Sequence, residues 1–102
     1  MLRRNMPTVS LTLQLSLEDL LGELQHARRQ DDMSRLALLA YCEVRRWARQ
    51  AGETELADQS TALVTRTPQA TREQFVADVD ALIARLEQTH QRLFGHACVA
   101  TA

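Results

Sequence analysis

The chain has 102 residues, 45% of them hydrophobic and 25% charged, with a formal net charge of -1. That is one domain of ordinary globular mixture, which argues against intrinsic disorder and gives no strong pull toward nucleic acid or an anionic membrane surface. No run approaches the roughly 18 apolar residues of a membrane span, and two cysteines, Cys42 and Cys98, make no framework of the secreted kind. The expectation is a cytoplasmic protein with no membrane partner, a single domain over 1–102 with flexible ends at 1–7 and 96–102. Arginine supplies every basic residue, eight of them in residues 1–50 against six acids, so an anion-seeking surface belongs to the first half.

From Thr8 to Ser16 the sequence TVSLTLQLS alternates apolar and polar residues. Val9, Leu11, Leu13 and Leu15 fall on one side, and Thr8, Ser10, Thr12, Gln14 and Ser16 on the other, which is the strand period and predicts a β-strand over about 8–15. Pro7 suits a strand start. Since no second alternating run exists, such a strand leaves its backbone groups unpaired unless it pairs across a dimer or joins a partner's sheet.

Four helices are predicted after it. Ser16 with Asp19 forms a capping box for a helix over about 17–30, with Leu17, Leu20, Leu21, Leu24 and Ala27 as its stripe and Gly22 as a place for close backbone approach. Asp31 or Asp32 caps the second, about 33–51, the most apolar part of the chain, and Gly52 ends it. Met33, Leu36, Ala37, Ala40, Val44, Trp47, Ala48 and Ala51 form its core face, widened by Leu38, Leu39, Tyr41 and Cys42. The short link sets these two helices side by side.

Thr54 opens a third helix, about 54–65, with Leu56, Ala57, Leu63 and Val64 on one face and Ser60 interrupting it. Thr71 with Gln74 opens the fourth, about 71–94, which carries Phe75, Val79, Leu82, Leu86 and Leu93 at spacings of three and four and ends at Gly95. This last seam is longer than the third helix can cover. No repeat occurs at a period of 34, so the chain is not a tetratricopeptide array.

Chemistry gets little from these residues. Asp31 and Asp32 read as helix caps, Cys42 as a small core hydrophobe, and His90, His96 and Cys98 lack paired zinc-ligand spacings. No phosphate-cradling glycine loop, nucleophile elbow or HExxH motif is present. The reading is a non-enzyme without catalytic residue, metal or cofactor. Arg35, Arg45, Arg46 and Arg49 lie away from the core face of the second helix, as a solvated surface or an anion site.

The alternating segment VSLTLQL, the helix LEDLLGELQHARRQ and DMSR at Asp32 to Arg35 together resemble a ribbon-helix-helix DNA-binding domain, with Asp32 where that family's motif has glycine. The resemblance implies a two-copy antiparallel ribbon that places Ser10, Thr12 and Gln14 in the major groove, with Ser34 and Arg35 near phosphate. Two functions follow as expectations. The first is a small helical protein-interaction or adaptor module that acts as a homodimer and binds another protein. Its self-association would use Val9, Leu11, Leu13 and Leu15 with Phe75, Val79, Leu82 and Leu86. The second is a transcriptional regulator that binds DNA through the strand and assembles through its C-terminal helices.

Overall fold

The computed structural model describes residues 2–66 and 71–101, and the side chains of residues 11–63, 65 and 71–95. Its elements are α1 (Leu2–Arg29), α2 (residues 33–51), α3 (Thr54–Arg66) and α4 (Arg72–Thr101). Within α2, the α-helical stretches Met33–Leu38 and Val44–Ala51 flank a π-helical turn at Leu39–Glu43. Each helix packs on the next, and α4 closes back on α1.

The N-terminal strand expected over 8–15 is not formed: among the described residues there is no strand, and α1 runs helical through that segment. Two periods coexist in the same leucines. Leu13 is one turn before Leu17, and Leu17, Leu20, Leu24 and Ala27 continue the stripe, all four of these buried with Leu13 packed against them. A lone strand would leave its N–H and C=O groups unpaired, whereas a helix satisfies them within the segment. The β-branched Val and Thr cost only a few tenths of a kcal/mol each in a helix, so packing decides. Ser16 is therefore inside a helix and caps nothing.

The predicted breaks do occur, and their geometry explains them. Asp31 takes the left-handed conformation at φ 56°, its N–H donating to the Arg28 carbonyl and that of Asp32 to the Ala27 carbonyl, a Schellman ending. Asp32 then caps α2 by accepting the Arg35 N–H at 3.1 Å. Gly52 closes α2 in the same way at φ 75°, with Gly52 N–H to Arg49 and Glu53 N–H to Ala48. Thr71 caps α4, accepting the Gln74 N–H at 3.0 Å, while the Gln74 side chain turns to Asp78 and leaves the capping box half made.

Asp at a left-handed position carries a steric cost that glycine lacks, partly offset by glycine's greater freedom when unfolded. Asp31 also meets Arg28 at 3.6 Å and Arg72 at 3.4 Å, both on the surface. Asp31→Gly is expected to stabilise the protein by about 0.5 kcal/mol in ~1 M salt, where such pairs are screened. Denaturant melts of both proteins at that salt check it, and a destabilised variant would mean that the left-handed turn suits Asp31 without strain.

One core runs the length of the bundle. Leu17, Leu24, Leu36, Val44, Leu56, Val79, Leu82 and Leu86 are all fully buried. The π-turn shapes this core. Leu36, Ala40, Val44 and Ala48 recur every four residues, a spacing that drifts around a straight 3.6-residue helix but is brought into line by one wider turn. Ser60 explains the polar interruption noticed in α3: it is fully buried and its hydroxyl donates to the Ala40 carbonyl, with the Tyr41 carbonyl 3.1 Å away, both in the π-turn. The turn also turns other residues out. Leu38 and Ala37, expected in or beside the core, are exposed, and so is Cys42, which is a surface thiol and not a core hydrophobe.

Two glycines differ from expectation. A Cβ on Gly22 would meet nothing within 4 Å, so no backbone of this chain approaches it. Gly95 does not end α4, which continues to Thr101. Both long helices run on past the α2–α3 turn, α1 by about 16 Å beyond Leu13 at 1.5 Å per residue, consistent with a longest dimension of 49 Å.

Ion pairs fasten α4 to its neighbours: Arg28–Asp80 (2.9 Å) and His90–Glu18 (2.8 Å) to α1, Arg92–Glu53 (2.6 Å) to the α2–α3 turn and Arg85–Glu55 to α3. Hydrogen bonds from His90 and Gln14 hold the Glu18 carboxyl below its usual pKa. A carboxyl lowered on folding stabilises the fold above its unfolded pKa and loses that contribution as pH falls through the folded value. The melting temperature should therefore drop below about pH 4.5, and Glu18→Gln should make that acid limb shallower. Superimposable limbs for the two proteins would show that Glu18 adds nothing.

Candidate functional site

The side chain that organises the α1–α2 face is Trp47. It is 3% exposed and its Nε1 donates to the Leu13 carbonyl of α1 at 2.9 Å. Farther along, Arg35 of α2 reaches Glu23 of α1 at 2.7 Å. These contacts set the two helices antiparallel, with a groove of about 560 Å³ between them. Its floor is apolar: Leu20, Leu39 and Trp47, all buried. Ser16, Asp19 and Glu23 form the α1 wall, at spacings of three and four that put them on one helical face. The α2 wall is Arg35, Leu38, Glu43, Arg46 and Gln50.

The charges in this groove are unevenly used. Arg35 is held by Glu23, and Arg46 lies 3.7 Å from Glu43. Asp19 has no hydrogen bond or ion pair among the described residues, and it points to the same space as the 54%-exposed Leu38. Nearby, Arg45 covers the Tyr41 ring at 4.6 Å and donates to its hydroxyl, so three of the four α2 arginines considered for an anion site are already engaged within the chain.

The residues expected to contact DNA are dispersed. Thr12 and Gln14 lie on α1, where Gln14 donates to Glu18; Ser34 is exposed in the first turn of α2, and Arg35 is paired. The side chains of Ser10 and Val9 lie outside the described residues. Of the expected self-association set, Val79, Leu82 and Leu86 are fully buried within the protomer and Phe75 and Leu13 are packed against its core. Only Leu11 and Leu15, 54% and 56% exposed, present themselves to solvent. They sit one turn apart, on the side of α1 away from Leu13, Leu17 and Leu20.

Sequence reasoning missed the groove because Ser16 and Asp19 were read as a helix start. The i, i+3, i+7 spacing of Ser16, Asp19 and Glu23 was the available signal once the helix extends through them. Among the described residues no three His, Cys, Asp or Glu side chains gather as a metal would need, and no helix is long and apolar enough to cross a membrane. Comparison with family models, curated proteins and solved structures found no match.

Proposed function

We propose that this chain is a non-enzymatic helical protein-interaction module that acts as a homodimer. The observation that carries this reading is the pair Leu11 and Leu15, large apolar side chains more than half exposed on the outer face of α1. Gly22 lies on the same face, seven residues beyond Leu15, with open space above it, so a second helix can approach closely there. A protein of 102 residues buries only about two-thirds of its unfolded surface alone, and association through α1 adds to that. The charged side chains support a structural use, since most of those named above tie one helix to another. An exposed Cys42 thiol suits a reducing cytoplasm. The DNA-regulator alternative rested on a ribbon over residues that are helical here, and its Arg35 is committed to Glu23.

Light scattering tests the dimer. The expected mass is twice the 11.5 kDa protomer, falling to one protomer in the double variant Leu11→Asp, Leu15→Asp with the helical circular dichroism unchanged. A wild type of protomer mass at all concentrations removes the homodimer.

A further inference from the structure

We infer that the groove between α1 and α2 is a docking site for an amphipathic helix of a partner protein, one that carries an arginine or lysine flanked by apolar side chains. The inference rests on the interaction-module reading and names its site and the chemistry of its partner. The shape fits: lining residues Arg35 to Gln50 extend along about 22 Å of α2, some four helical turns. A helix laid in such a groove offers side chains at i, i+3, i+4 and i+7 to an apolar floor, here Leu20, Leu39 and Trp47, and Leu38 stands exposed on the wall beside it.

Charge decides what the occupant carries. The lining holds three acids against two arginines, and both arginines already face an acid of their own, Arg35 on Glu23 and Arg46 on Glu43. Asp19 is left over on the α1 wall, with Glu43 on the opposite wall in only a long contact of 3.7 Å. A cation entering between these walls meets one free carboxylate and one weakly held one, while an anion meets repulsion from both. The second copy is assigned to the outer face of α1, whose Leu11 and Leu15 do not line this groove.

The test titrates the full chain with two labelled leucine–alanine helical peptides that differ only in a central Arg or Glu, read by anisotropy and by Trp47 emission. The Arg peptide is expected to bind about tenfold more tightly than the Glu peptide. Asp19→Arg should invert that preference, and Leu38→Asp should weaken both peptides by about tenfold at unchanged melting temperature. Both substitutions are of exposed side chains, so the fold should tolerate them. Equal affinity for the two peptides, or an Asp19→Arg protein that still prefers the Arg peptide, overturns the inference. So does a dimer that Leu38→Asp dissociates, because the second copy would then fill the groove. A monomeric wild type that keeps the Arg preference would remove the homodimer and leave the groove standing.

Discussion

Trp47→Ala should destabilise the protein by about 3 to 5 kcal/mol, enough to unfold a domain of ordinary marginal stability. The side chain is 3% exposed in the floor between α1 and α2, and its indole N–H is the link to the Leu13 backbone. The loss therefore has two parts. The apolar part is a cavity that helices joined by short loops cannot collapse fully. The polar part is one hydrogen bond, worth about 1 kcal/mol, which Trp47→Phe isolates because it keeps the ring and drops the N–H. Urea denaturation of the three proteins checks this, and a Trp47→Ala midpoint equal to wild type would put the residue outside the core.

Ser60→Ala should cost about 1 to 3 kcal/mol, an unusual price for one hydroxyl. Nearly every atom of Ser60 is shut away from water, and the hydroxyl serves two carbonyls of the widened turn that water cannot reach from that side. Among the described residues every buried side-chain N or O has a partner, so this hydroxyl belongs to a fully satisfied interior and its loss is not absorbed by a spare donor. The same denaturation experiment reads it. A cost below about 0.5 kcal/mol would show that the two carbonyls find other donors when the hydroxyl is gone.

The helical breaks were legible because they are local. Asp32, Gly52 and Thr71 announce themselves within three or four residues, and the leucines of α1 and α4 repeat at spacings that only one face of a helix collects. Three things were not legible, each for a nonlocal reason. Residues 8–15 satisfy the strand period and the helix period together through Leu11, Leu13 and Leu15, and the choice is made by what Leu13 and Leu17 meet after folding. Cys42 and Leu38 look like core residues on a straight helix, and only the π-turn turns them outward. The groove is made by two helices brought together, so Asp19 and Glu43, far apart in sequence, become opposite walls only through the Trp47 and Arg35 contacts.

A consequence of the π-turn concerns how this sequence tolerates changes in length. In a regular α-helix, removing one residue rotates everything beyond it by about 100° and strips the far half of its core contacts. The turn at Leu39–Glu43 holds one residue more than an α-turn occupies, so the surplus is already stored in the helix. Deleting exposed Cys42 would draw that surplus out, leaving Leu36 on one side and Val44 and Trp47 on the other still aimed at the same neighbours. The middle of α2, the most enclosed helix in the chain, is thus the place where its length can shorten by one without changing its two faces.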